Sequence, residues 1–293
     1  MKDYLDRLIE LSLDEDLGAA GDVTSNALVP PDAMGSGELV AKEQLVLAGL
    51  EAFSRVFRYV DPEVQVEFLR NDGQEIKPKV VAAKVSGRLR SLLAAERTAL
   101  NLVQRMSGIA TIAQQAMTAV RGSKLKVLDT RKTAPGMRSL SKEAVRLGGA
   151  ANHRFGLFDG VLIKDNHIAA VGGSIQEALR RARAHAPRLV KIEIEVTNLK
   201  QLTEAIEEGA DVVMLDNMDD ELIRKAVALA AGRVPLEVSG GVTLDRLPRL
   251  AKLGVDFVSM GSLTHSARAM DLSLEIATVK GAGRARASKK PQG

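Results

Sequence analysis

Leu189-Val-Lys-Ile-Glu-Ile-Glu-Val196, followed by the helical pattern Leu199-Lys-Gln-Leu-Thr-Glu-Ala-Ile-Glu-Glu208 and then Asp211-Val-Val-Met-Leu215, is one round of the repeat that decides the fold. Each round is a short apolar, β-branched run ending in polar residues, then a stretch with helical periodicity. The runs are Leu125–Thr130, Gly160–Lys164, Leu189–Val196, Asp211–Leu215, Val234–Val238 and Val255–Met260. Helical patterns lie between them at Lys142–Leu147, Ile175–Ala186, Leu199–Glu208, Asp220–Ala231 and Leu244–Leu253, and Ser174-Ile-Gln-Glu177 reads as a capping box. Strands alternating with helices imply parallel pairing with right-handed crossovers.

Periodicity alone does not choose between an open doubly wound sheet and a β/α barrel. The polar residues favour a barrel, because every run ends in potential chemistry: Asp129, Arg131 and Lys132; Lys164 to His167; Glu193 and Glu195; Asp216 and Asn217; Ser239 to Gly241; Gly261. A barrel brings all those strand ends to one mouth, whereas an open sheet spreads them along an edge.

Residues 1–120 read differently. A helix at Tyr4–Leu17 leads into Gly21-Asp-Val-Thr-Ser25, then strand-like stretches at Gly37–Ala48, Val64–Leu69 and Val80–Leu89, then a long helical pattern from Leu92 to Val120. Strands grouped without interleaved helices argue for a separate α+β domain. The expected fold class is therefore α/β: an N-terminal α+β open sandwich, with its connecting helix over 1–120, packed on an incomplete β/α barrel of about six units over 121–265. A C-terminal helix over about 266–280, able to pack back on the first domain, and a basic disordered tail over 281–293 complete the division.

The 293 residues carry 45% hydrophobic and 27% charged side chains, ordinary for a soluble globular chain. The formal charge of +4 is matched by Arg284, Arg286, Lys289 and Lys290 in the tail, so the body is neutral. With aromatics at 3%, stacking platforms for nucleic acid are scarce, and no nucleic-acid partner is expected. No apolar run approaches the roughly 18 residues that span a bilayer, so no membrane partner is expected either. The absence of cysteine excludes disulfides and thiolate chemistry and suits a reducing compartment, for which the cytoplasm is the default.

The chemistry begins at Asp129-Thr-Arg-Lys-Thr-Ala-Pro-Gly136, where Arg131 and Lys132 follow a strand and Pro135-Gly136 makes a turn. An isolated Arg-Lys pair in a loop is more often a solvated surface charge. Here Arg138, Lys142, His153, Arg154, Lys164 and His167 follow within the next thirty-five residues, and so many cations suit a substrate with several carboxylates or phosphates. Lys164 at a strand end balances between snorkelling and ligand contact. Glu195 and Asp216 balance between salt bridging inside the protein and holding Mg²⁺ and ribose hydroxyls, or stabilising positive charge on a sugar ring. Ser239-Gly-Gly241 and Gly261-Ser-Leu-Thr-His-Ser266 each open a helix after a late strand, where backbone N–H groups make anion sites. No GxxxxGK[ST], G-x-G-x-x-G, H-E-x-x-H or G-x-S-x-G string is present.

The strings Asp129-Thr-Arg-Lys-Thr-Ala-Pro-Gly136, Gly148-Gly-Ala-Ala-Asn-His-Arg154 and Leu162-Ile-Lys-Asp-Asn-His167 closely resemble the quinolinate phosphoribosyltransferase family. Glu15-Asp16, Gly21-Asp-Val-Thr24, Glu96-Arg-Thr-Ala-Leu-Asn101 and Leu263-Thr-His-Ser266 extend the resemblance over nearly the whole chain. It implies transfer of phosphoribose from phosphoribosyl pyrophosphate to quinolinate with decarboxylation, in NAD biosynthesis, with Mg²⁺ as cofactor. It also implies a homodimer in which Arg97 of one subunit completes the neighbouring site. By matching position, Arg131, His153, Arg154 and Lys164 would surround the quinolinate carboxylates. Lys132, Glu195, Asp216, Ser239, Gly240, Gly241, Gly261 and His265 would line the phosphoribosyl pyrophosphate side, Lys132, Glu195 and Asp216 as catalytic groups and Glu195 and Asp216 as metal ligands. The alternatives are a phosphoribosyltransferase for another ring acid, a relative linked to molybdenum transport, and a sugar-phosphate-binding protein without turnover. The intact Asn152-His-Arg154 and Lys164-Asp-Asn-His167 strings favour the quinolinate enzyme.

Overall fold

The computed structural model describes residues 3–278. Along the chain, α1 (Tyr4–Leu17) and α2 (Val23–Leu28) precede β1 (Met34–Ala41), β2 (Leu45–Val46), α3 (Leu50–Val60), β3 (Gln65–Phe68), β4 (Glu75–Ile76), β5 (Val81–Arg88) and α4 (Leu89–Ala119). Then come β6 (Lys126–Leu128), α5 (Arg138–Leu147), β7 (Val161–Ile163), α6 (Asp165–Ala170), α7 (Ile175–His185), β8 (Ile192–Val196), α8 (Leu199–Glu207), β9 (Val212–Asp216), α9 (Asp220–Ala230), β10 (Leu236–Ser239), α10 (Leu247–Leu253), β11 (Phe257–Ser259), α11 (Ser262–His265) and β12 (Leu272–Thr278). The described residues up to Gln104 and from Met270 on form one compact unit, and Arg105–Ala269 forms another. The boundary falls inside α4, whereas the segmentation by sequence drew it at the end of that helix.

The first unit holds an antiparallel sheet in the order β12-β1-β5-β3 and a two-stranded β2-β4 ribbon. Two expectations fail here. The C-terminal helix is a strand over Leu272–Thr278, paired with β1 in the register Leu39↔Leu274 and Gly37↔Ile276. Its period was legible: Leu272, Leu274 and Ile276 alternate with Ser273 and Glu275, which pleats onto a sheet and cannot form a helical stripe. The strands are also not free of interleaved helices, because α3 stands between β2 and β3, burying Leu50, Phe53, Val56 and Phe57 at i, i+3, i+6 and i+7. Phe53 and Phe57 are fully buried with ring centroids 5.0 Å apart, each contributing about 2 kcal/mol of burial. The basic segment 281–293 lies outside the described residues.

The second unit carries six parallel strands in the order β6-β11-β10-β9-β8-β7, an incomplete β/α barrel. The first strand pairs with the last, and no ladder joins β6 to β7. Only Ala151 bridges to the outer edge of β6, donating to Val127 O and accepting from Asp129 N. Because strand side chains alternate faces, the registers Leu162↔Glu193, Glu195↔Met214 and Asp216↔Ser239 put Leu162, Glu193, Glu195, Met214, Asp216, Glu237 and Ser239 on one face. Ile192, Ile194, Val196, Val213, Leu215 and Val238 fill the other and are buried. The sequence thus gives one face of the sheet to apolar packing and the other to polar groups.

The turn after α5 is tight. A Cβ on Gly148 would lie 2.3 Å from the carbonyl oxygen of Ala110 and 2.6 Å from Ala113 Cβ, both on α4. Gly148→Ala forces those backbones apart and is expected to cost about 2 kcal/mol or more, read as a lower urea midpoint with an unchanged denaturant slope.

Candidate active site

A fully buried carboxylate organises the cationic face. Asp129, next after β6, accepts hydrogen bonds from Lys142 Nζ at 2.5 Å, Asn152 Nδ2 at 2.7 Å and the His153 amide at 2.9 Å. Lys142 Nζ also donates to His153 O at 3.0 Å. Burial pushes the Asp129 carboxyl above its ordinary value, and the Lys142 ammonium and the two amide donors oppose that rise. Lys142 therefore spends its charge inside the protein. Arg138 does likewise, reaching Thr133 Oγ1, Phe155 O and Arg131 O, and His167 Nδ1 accepts the Lys164 amide to cap α6.

The remaining cations converge. Arg131, Lys132, His153, Arg154 and Lys164 border a cavity of about 910 Å³, together with Glu195, Asp216, Asn217, Ser239, Gly240 and Gly241. Arg131 Nε is buried without a partner. Arg154 donates to Gly160 O at 2.9 Å, and burial together with the neighbouring Arg131 guanidinium pulls it below its ordinary value. Two guanidinium groups that repel each other in a half-buried wall suit an anion. Opposite them, Lys164 Nζ donates to Glu195 Oε1 at 2.6 Å, so internal salt bridging and a place at the cavity hold for the same pair. Asn217 Nδ2 donates to Asp216 Oδ2 at 2.9 Å.

Gly261 and His265 stand beside Lys132: a Cβ on Gly261 would lie 3.0 Å from Lys132 Cδ and 3.0 Å from His265 Cδ2. Thr264 Oγ1 donates to Lys132 O at 2.8 Å, fastening the cationic loop to α11. Arg97 belongs to the other unit, where it is exposed and borders a separate cavity with Ser12, Glu15, Asp16, Thr98, Asn101 and Leu102.

One group escaped the sequence reading. Glu237, only 2% exposed, lies 3.7 Å from His153 Nε2, which contacts Glu193 Oε2 at 3.0 Å. A glutamate between Leu236 and Val238 in an apolar strand was the available signal. Burial and the Glu193 carboxylate push Glu237 up to about 8. Burial pulls His153 down, but Glu193 and Glu237 outweigh it and leave the imidazole raised. These three residues have ligand-type atoms within 4.8 Å of one another. His153 Nδ1 accepts the Arg154 amide at 2.8 Å, however, so Nε2 carries the proton and donates to Glu193, and a cation would have to displace that proton. The cluster is built to hold protons.

Against this geometry stand the comparisons. A family model for the C-terminal domain of quinolinate phosphoribosyl transferase matches residues 109–275, and one for its N-terminal domain matches residues 22–107. The chain belongs to the quinolinate phosphoribosyltransferase family. It is 43% identical over 262 residues to a probable nicotinate-nucleotide pyrophosphorylase (carboxylating) of Bacillus subtilis, covering 89% of this chain and 90% of that one. It is 40% identical to the chloroplastic nicotinate-nucleotide pyrophosphorylase (carboxylating) of Arabidopsis thaliana, over 94% of this chain and 83% of the relative. The crystal structure of NadC from Streptococcus pyogenes superposes with a TM-score of 0.90 at 42% identity, covering 94% of this chain and 97% of that one.

Two measurements check the electrostatics. Lys142→Met leaves Asp129 buried and unpaired, which is expected to cost about 3 kcal/mol or more in urea unfolding. Glu237 has a folded-state value raised above its unfolded one, so its contribution is fully present below about pH 4.5 and is lost as pH rises toward about 8. Glu237→Gln should therefore flatten the decline in stability between pH 5 and 8; a decline equal to that of the unsubstituted protein would contradict this assignment.

Proposed function

We propose that the protein transfers the phosphoribosyl group of phosphoribosyl pyrophosphate to the ring nitrogen of quinolinate, releasing pyrophosphate and carbon dioxide and giving nicotinate mononucleotide for NAD biosynthesis. The observation that carries this reading is a single cavity with Arg131, Lys132, Arg154 and Lys164 on its walls and Glu195 and Asp216 among them. Membership of the family supports the same reaction.

Arg131, Arg154 and Lys164 bind the two carboxylates, with His153 alongside them on the cavity wall holding the Arg154 amide in place, which sets the ring nitrogen against the anomeric carbon. Glu195 and Asp216 stabilise the positive charge that builds on the ribose as its bond to pyrophosphate lengthens. Lys132 pairs with the departing pyrophosphate, and the Ser239-Gly240-Gly241 and Gly261 turns, with His265, offer it backbone and side-chain donors. Once the ring nitrogen is alkylated, the bond to the 2-carboxylate breaks, its electrons enter the ring and a proton replaces the lost CO₂. This step needs no base from the protein.

Glu195 and Asp216 supply hard oxygen donors on the cavity wall, which suits Mg²⁺ better than a soft metal, and these two residues would hold it. When bound, the ion neutralises charge on the pyrophosphate. The homodimer reading, with Arg97 of one subunit completing the other's site, draws support from the exposed Arg97 and from Phe155, Leu157 and Phe158, three large apolar side chains exposed in the loop after Arg154. No helix among the described residues is long and apolar enough to cross a membrane. The absence of cysteine suits a reducing compartment, and the cytoplasm is the location this reading takes.

Incubation with quinolinate, phosphoribosyl pyrophosphate and Mg²⁺, with nicotinate in parallel, should release mononucleotide and CO₂ in equal amounts from quinolinate alone. No product from quinolinate would overturn the reading. Lys164→Ala should lower kcat/KM at least about tenfold. Arg97→Ala mixed with Lys164→Ala should recover activity through one intact site per mixed dimer; mixed dimers without recovery would sink the shared site.

A further inference from the structure

We propose that Asn217 is a positioning residue that aims the Asp216 carboxylate, with Gly240 kept bare to make room for it. The inference rests on the reading of Asp216 given under the proposed function. Asn217 has φ +53°, one of three non-glycine residues in the left-handed region among the described residues. Non-glycine residues adopt that conformation seldom, asparagine more readily than most because its side chain can hydrogen-bond locally, and glycine adopts it freely. An asparagine here keeps the turn and adds a side-chain amide that glycine lacks.

Its contacts show what that amide does. The Asn217 amide N–H donates to Ser239 O at 3.0 Å, which ties the end of β9 to the end of β10. The side-chain Nδ2 donates to Asp216 Oδ2 at 2.9 Å, so one carboxylate oxygen is held while Oδ1 is the oxygen this amide does not engage. A Cβ on Gly240 would fall 2.2 Å from Asn217 Oδ1 and 3.0 Å from its backbone nitrogen. Gly240 itself has φ +94°, so both its conformation and the crowding require glycine. Asp216, Asn217, Ser239 and Gly240 all border the same cavity, and the amide of Asn217 thus links the carboxylate on one strand to the glycine turn on the next. A conformational role alone predicts that glycine serves as well as asparagine at this position. A positioning role predicts that it does not.

The test compares the full-length protein with Asn217→Gly, which keeps the left-handed backbone and loses the amide, and Asn217→Asp, which keeps the size and sets a second carboxylate beside Asp216. Asn217→Gly should unfold at a urea concentration no lower than the unsubstituted protein. Its KM for phosphoribosyl pyrophosphate should rise about tenfold, with KM for quinolinate changed less than about twofold; Asn217→Asp should be worse on the same axis. Calorimetric titration with phosphoribosyl pyrophosphate and Mg²⁺ should repeat the order without turnover. An Asn217→Gly protein that binds and reacts as the unsubstituted one does would overturn the inference while leaving the proposed reaction intact. Absence of turnover in the unsubstituted protein would instead overturn the reaction, and the calorimetric order would then decide the role of Asn217 by itself. A protein that neither turns over nor binds would end both.

Discussion

The carboxylate of Asp129 is wholly enclosed, yet it accepts three hydrogen bonds, from Lys142, from Asn152 and from the backbone of His153. Those donors come from a helix and from a segment that belongs to no strand, and Asp129 itself directly follows β6. Removing such a carboxylate from water is tolerable only when its donors are fixed, so the pairing specifies where α5 and residues 152–154 must lie. Arg131 and Lys132 follow Asp129 by two and three residues, and Arg154 follows His153 directly. The directions of the anion-facing cations thus depend on a charge no substrate touches.

This arrangement separates two uses of charge that look alike in a sequence. Lys142, Arg138 and His167 are consumed by internal partners, whereas Arg131 and Arg154 stay at the cavity, where burial first and the Arg131 guanidinium second pull Arg154 below its ordinary value. Like charges held side by side in a half-buried wall would be eased by an anion between them, which fits the ligand of the proposed reaction. Beneath, Glu193 and Glu237 crowd the His153 imidazole from below, an acidic counterweight in a wall of cations.

Much of this was legible. The β/α alternation implies the six parallel strands, and the cations clustered at strand ends mark the cavity. What sequence could not separate was the fate of each cation, since Lys142 and Lys164 differ in which acid the fold brings within reach, Asp129 for the one and Glu195 for the other. Periodicity misled at Leu272–Thr278, where a helix was expected although the apolar residues alternate by two, and at Leu50–Val60, where a stripe at i, i+3 and i+7 went unread between strands. Glu237 stayed hidden because a lone glutamate in an apolar strand is ambiguous until its register shows which face it occupies.

The missing ladder between β6 and β7 has a further consequence. Where a closed barrel would have a strand pair, this unit has the single bridge at Ala151, and the next three residues are Asn152, His153 and Arg154. The residues on that side that would meet the substrate in the proposed reaction are therefore part of the scaffold wall and not of a loop grafted upon it. Substitutions at 152 and 153 that disturb the backbone or the Asn152 amide would unseat the carboxylate of Asp129 at the same time. The turns after β9, β10 and β11 carry no such duty toward Asp129; their constraints are their own, as in the fit of Asn217 against Gly240.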